Sequence, residues 1–187
     1  MWYIPVDTEE FYKPEGIWDR RNYVLLVGGG DTTKQAELAI AACAIIPKEA
    51  RPDLAIVSGK RADMQELADN LEVTLQWHEQ IDTETLRTLY QRAICTLCTS
   101  VAEPFGLTAI ESIACGTPVV AVDEGGFRET VKECVGIRVP RHPLPFAQAI
   151  AHFIENPKRV KLDEKFKVEN CVDEFEDHLN QIVRSKK

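Results

Sequence analysis

Short apolar runs alternate with longer amphipathic stretches along the whole chain. Runs at 23–27, 54–58, 73–77, 94–99, 118–122 and 135–139 predict strands, and the short, apolar, β-compatible run at 94–99 predicts one buried in a parallel sheet. Between them the apolar positions recur at helical spacing. Ala36, Ala39, Ile40 and Cys43 form one stripe, Leu86, Leu89 and Tyr90 part of a second, and Ala147, Ile150 and Ile154 a third. Strict β/α alternation with right-handed crossovers predicts an α/β fold: a doubly wound, parallel, six-stranded Rossmann-like sheet. The charged stretch 163–187 is predicted helical, with Phe166, Val172, Phe175, Leu179 and Val183 as its apolar stripe.

This topology brings the loops that follow the strands to one rim of the sheet, where open α/β proteins take ligands. Gly28 to Lys34, Gly59 to Arg61, Glu103 to Leu107 and Glu124 to Gly126 would gather there. The segment EPFGLTAIESIACGTPVVAV holds the densest chemistry, with Glu103 and Glu111 eight positions apart around a Phe-Gly-Leu step. Helical spacing from about Phe105 places the amides of Phe105, Gly106 and Leu107 in an open first turn, suited to phosphate oxygens. Gly106 has no side chain to hold a ligand off. A carboxylate farther along the helix, Glu111, accepts hydrogen bonds from vicinal hydroxyls. The pattern suits an anionic, hydroxyl-rich ligand such as a nucleotide sugar.

Composition narrows the class. At 187 residues with ordinary apolar and charged fractions the chain is expected to form a single soluble domain. No apolar run is long enough to span a bilayer and the first residues lack a secretion pattern, so a cytoplasmic location is expected. A net charge of -8 argues against general nucleic-acid binding. Six cysteines, Cys43, Cys95, Cys98, Cys115, Cys134 and Cys171, read as buried reduced thiols. Cys95 and Cys98 form C-x-x-C, but on a strand they point to opposite sides, unsuited to sharing a metal. The four histidines show no ligand spacing; His78 is a candidate for the cleft wall or a surface loop. After the first strand, Gly28 and Gly30 begin a dinucleotide fingerprint whose third position is Thr33, which disfavours a nicotinamide dehydrogenase. No D-x-D pair occurs.

The residues around Glu103 and Glu111 resemble the E-x7-E region of family 4 ("group 1") glycosyltransferases, in the carboxyl-terminal, donor-binding half of a GT-B enzyme. IPVDTEEFYKP resembles the family's interdomain connector, VLLVGGGDTTKQ its first strand and loop, VTLQWHEQIDTETLRTLYQRA the strand and helix before the carboxylates, and GTPVVAVDEGGFRETV the following strand and loop. The resemblance implies a retaining, metal-independent hexosyltransferase-type activity using a nucleoside diphosphate sugar, with no cofactor. It implies that Glu103 contacts donor-sugar hydroxyls, Glu111 the ribose and Lys34 the diphosphate, with Gly28, Gly29, Phe105, Gly106 and Leu107 lining the donor site.

It also implies that residues 1–22, with Trp2, Tyr3, Phe11, Tyr12 and Trp18, are a docking connector, that 23–187 form the nucleotide-sugar-binding domain with carboxyl-terminal helices, and that the acceptor domain, covalent or a separate chain, is absent. The departure from the family lies after the first strand. Where the family usually has G-R-x4-K-G, this chain has Gly28, Gly29, then Lys34 and Gln35. The missing arginine bears on turnover more than on fold, because a departing diphosphate needs its charge neutralised. Lys60 and Arg61 are candidate replacements. The alternative expectation is a non-catalytic nucleotide-sugar-binding module, or a subunit that pairs with a separate acceptor-domain protein.

Overall fold

The structure, a computed structural model, describes residues 3–16, 19–28, 30 and 32–185, with the side chains of all but 174 and 178–185. Six strands form one parallel sheet: β1 (Tyr23–Val27), β2 (Asp53–Val57), β3 (Leu75–His78), β4 (Thr96–Cys98), β5 (Val119–Val122) and β6 (Gly136–Val139). Their order across the sheet is β3-β2-β1-β4-β5-β6. Each expected strand is present with its ends moved by up to two residues; β4 is left with three, losing Ile94 and Cys95 at its start and Thr99 at its end.

Seven helices follow: α1 (Ala36–Ile45), α2 (Ala62–Asn70), α3 (Thr83–Arg92), α4 (Leu107–Ala114), α5 (Phe127–Thr130), α6 (Pro143–Glu155) and α7 (Val168–Ser185). α1 packs beside α2 and α6, and α4 beside α3 and α5, so both faces of the sheet are covered. The strands are the core: Val24, Leu25, Leu54, Ile56, Val119, Val120 and Val122 are buried, as are Ile40, Tyr90, Ile110, Phe146 and Phe153 from the helices. Apolar side chains on both sheet faces favour this parallel arrangement. Asp82 starts α3 by accepting the Thr85 amide at 2.8 Å.

The amino-terminal segment packs on this body. Val6 donates its amide to the Phe166 carbonyl at 2.9 Å, Phe11 meets the Tyr90 ring edge-on at 6.1 Å, and Gln91 Nε2 and Arg87 Nη1 donate to the carbonyls of Tyr12 and Glu10. Trp2 and Trp18 lie outside the described residues. Phe166 is not on the stripe of the last helix. It closes a 3-10 turn, Glu164–Phe166, before α7 begins, and is buried with Tyr3 and Phe105 at centroid distances of 5.2 and 6.2 Å. Val172 and Phe175 on α7 are exposed, and Leu179 and Val183 have no described side chains. No described helix is long and apolar enough to cross a membrane.

Candidate functional site

The strand order reverses between β1 and β4, so the loops leaving these two neighbours diverge and open a crevice at their carboxyl ends. After β1 the chain turns at Gly28, whose φ of +87° favours glycine, and whose missing Cβ would lie 3.2 Å from Lys34 Cε. The Lys34 stem therefore lies across Gly28. Gly29 falls outside the described residues. A 3-10 turn, Thr32–Lys34, and the left-handed Gln35 (φ 48°) lead into α1. The loop after β4 is tied to this turn: Val101 donates its amide to the Thr33 carbonyl at 2.8 Å, and the Thr99 hydroxyl donates to the Lys34 carbonyl.

Across the crevice Lys34 Nζ meets Glu103 Oε2 at 3.2 Å. Glu103 Oε1 accepts the Gly106 amide at 3.1 Å, so one carboxylate joins the cation to the opening of α4. The helix starts at Leu107, two residues later than its apolar spacing predicts, because Gly106 sits at φ +95°. Among the described residues none accepts from the amides of Phe105 or Leu107, which remain two donors at the positive end of α4. The Phe105 ring turns to Tyr3 and Phe166, and the Leu107 side chain is exposed. Gly125 and Gly126 allow the β5–α5 loop to press against this turn. A Cβ on Gly125 would lie 2.4 Å from the Glu103 carbonyl oxygen, and one on Gly126 2.4 Å from Phe105 Cα.

Glu111 lies inside α4. Its Oε2 accepts a hydrogen bond of 2.8 Å from the hydroxyl of Tyr90, a fully buried residue of α3. Burial raises the Glu111 carboxyl above the usual range, and the Tyr90 hydrogen bond opposes that rise. Burial and the Glu111 charge push the Tyr90 hydroxyl well upward. Burial, with the charge of Glu103 next, pushes the thiol of Cys98, at the end of β4, well upward.

The apolar stripe gave Tyr90 as core only; its hydroxyl partner lies 21 residues away and left no local signal. Arg141, in the loop after β6, was also missed. It spends five donor contacts on three segments: Nη1 on Gln35 Oε1 (2.5 Å) and the Thr99 carbonyl (2.6 Å), Nη2 on the Ser100 carbonyl (2.9 Å) and Glu124 Oε2 (2.6 Å), and Nε on Glu124 Oε1 (3.1 Å).

The other rim candidates are engaged to different degrees. Arg61 binds both Asp63 oxygens, at 3.1 and 2.5 Å, and approaches Glu37, while its Nη1 is buried without a partner among the described residues. Lys60 donates its amide to Glu79 Oε1. His78 ends β3 with Nε2 buried and unpartnered among the described residues, its imidazole pKa lowered by burial. All six cysteines are free thiols. Cys134 is exposed and Cys171 half-buried, contrary to a uniform buried reading, because both lie outside the sheet and its packed helices. Burial pushes Cys43 up to about 12, as expected of an inert core thiol. Among the described residues no three His, Cys, Asp or Glu side chains gather as a metal site.

The sequence profile described as Glycosyl transferases group 1 matches residues 7–170. An uncharacterized glycosyltransferase of Methanocaldococcus jannaschii is 29% identical over 181 residues, covering 88% of this chain and 46% of that protein. D-inositol 3-phosphate glycosyltransferase 1 of Catenulispora acidiphila is 36% identical over 118 residues, 57% of this chain and 28% of its own length. Among solved structures, sucrose-phosphate synthase from Thermosynechococcus elongatus aligns with a TM-score of 0.81 and 27% identity over 97% of this chain and 52% of that one. Anabaena HepE, solved in complex with UDP-glucose, aligns with a TM-score of 0.79 over 96% of this chain and 57% of its own; at 18% identity it carries the fold alone. The chain thus spans about half or less of the relatives it matches. With the profile match running over residues 7–170 and the sheet that of GT-B glycosyltransferases, this chain belongs to the group 1 glycosyltransferase family.

Proposed function

We propose that this chain is the donor-binding half of a retaining, metal-independent glycosyltransferase that uses a nucleoside diphosphate sugar. The observation that carries the reading is the 3.2 Å pair of Lys34, from the loop after β1, with Glu103, from the loop after β4, at the reversal of strand order. A cation, two helix-opening amides without an acceptor among the described residues and a carboxylate there suit a diphosphate joined to a sugar. The UDP-glucose complex of the Anabaena neighbour supports the donor class.

In this reading Lys34 and the amides of Phe105 and Leu107 take the charge that grows on the departing diphosphate, so the leaving group needs no acid. Glu103 orients the sugar hydroxyls and Glu111 accepts from the ribose. Retention follows if the acceptor attacks from the face the diphosphate leaves, with a phosphate oxygen taking the acceptor's proton. Residues 1–22 serve as connector to an acceptor-binding half that forms the other wall of the cleft.

A second reading, a non-catalytic nucleotide-sugar-binding module or a subunit of a split enzyme, draws support from a rim arginine. Arg141 is engaged by Glu124 through both carboxylate oxygens, so it does not replace the arginine that the family usually carries after its first strand.

Calorimetric titration with UDP, GDP and ADP, with and without their sugars, tests the common ground of both readings. One nucleotide should bind. Lys34→Ala should weaken it about tenfold to a hundredfold, the worth of a charge-assisted hydrogen bond, without affecting the nucleoside. Glu111→Ala should weaken the nucleoside, and Glu103→Gln chiefly the recognition of the sugar. No nucleotide binding, or none of these selective losses, would defeat the proposal.

A further inference from the structure

We propose that Arg141 is a positioning residue that sets the Lys34–Glu103 pair in register by locking the loops on either side of the crevice. The inference rests on the donor-site reading above. The sheet fixes β1 and β4 only below the crevice, through the pair Leu25 with Thr96 and the amides of Ile94 and Leu25 donated to the Tyr23 and Cys95 carbonyls. Beyond the strand ends, the distance between Lys34 and Glu103 depends on loop-to-loop contacts. Arg141 supplies the densest of them. From one guanidinium it holds the Gln35 side chain, next to Lys34, and the carbonyls of Thr99 and Ser100, on the path from β4 to Glu103. The Thr99 hydroxyl donates to the Lys34 carbonyl, so both ends of the Arg141 grip meet at the same turn. Gln35 needs such a hold, because its φ of 48° is unfavourable for a residue with a Cβ.

The same contacts separate positioning from direct phosphate binding. Nε and Nη2 grip both oxygens of Glu124, whose carboxyl pKa Arg141 holds below the usual range, and the remaining donors are spent on Gln35, Thr99 and Ser100. No donor of Arg141 is left for a ligand, and its charge is matched. Only a planar, five-donor fork can make this set of contacts, so lysine is no substitute.

The test titrates inorganic pyrophosphate, UDP and GDP, with uridine and guanosine as phosphate-free controls, into the full chain and into Arg141→Lys, Arg141→Ala and Glu124→Gln, alongside thermal melts. Arg141→Lys and Arg141→Ala should each lose about tenfold or more in affinity for the diphosphate probes, with the nucleosides unaffected. Glu124→Gln, which frees the guanidinium from its partner, should also weaken diphosphate binding. Stronger diphosphate binding by Glu124→Gln would make Arg141 a phosphate ligand and overturn the inference. Equal losses for nucleosides and diphosphates, or unchanged diphosphate affinity in both arginine variants, would overturn it too. If the unsubstituted chain binds no diphosphate probe, the donor-site reading itself fails.

Discussion

At Glu111 function and stability pull in opposite directions. Burial raises its carboxyl pKa despite the Tyr90 hydrogen bond. A raised folded-state value means that the native protein holds the proton more tightly than the unfolded chain does. That contribution is complete below the unfolded value and is lost as pH rises through the folded one. The ionised form at neutral pH is therefore a cost to the fold, which the proposed role of Glu111 as acceptor for ribose hydroxyls would account for. Glu111→Gln keeps an acceptor for Tyr90 and removes the charge. It should melt above the parent protein at pH 7, and the difference should close below the ordinary glutamate range; thermal melts at the two pH values check this. A gap of equal size at both would assign the effect to packing. Tyr90 was legible as a buried position but its hydroxyl's role was not, because a stripe of apolar spacing identifies the buried face of a helix and says nothing of a partner on another one.

At the scale of elements, the opening turn of α4 is shaped from outside by the loop between β5 and α5. Gly126 donates its amide to the Glu103 carbonyl at 2.9 Å, and its own backbone lies against Phe105. Its φ of -63° is ordinary, so a side chain there meets contact rather than backbone strain. Gly126→Ala should thus cost about 1 to 3 kcal/mol, the usual range for overpacking, and push the 103–106 turn away from Lys34. Urea denaturation and diphosphate titration would measure both effects; an alanine variant as stable and as tight-binding as the parent would show that the loop gives way freely. The paired glycines were visible in the sequence as a turn, but their service to a loop more than 20 positions earlier depends on tertiary approach. The α4 start was misplaced for a related reason: apolar spacing continues through Phe105, whereas Gly106 takes a left-handed conformation and the Phe105 ring leaves for Tyr3 and Phe166. Arg141 was illegible because its partners come from three separate segments, none of which marks the others.

For the molecule as a whole, the alternation of apolar runs and helical stripes was enough to give a parallel six-stranded sheet and the rim that carries Lys34 and Glu103, because the central strands are buried, although edge strand β3 is only half-buried. The proposed acceptor half has no counterpart in these residues. With one wall of the cleft open, the acceptor is neither positioned nor shielded from water. Sugar transfer by this chain alone should therefore be slight, and should rise when an acceptor-domain polypeptide is added; a labelled-donor assay of the two separately and mixed checks this, and robust transfer without the addition would refute it. The central claim concerns where the diphosphate sits, and a crystal structure of the chain with its preferred nucleoside diphosphate tests it most directly. The account predicts phosphate oxygens within hydrogen-bonding distance of Lys34 Nζ and of the amides at the opening of α4. A diphosphate bound elsewhere, with the Lys34–Glu103 pair undisturbed, would contradict it.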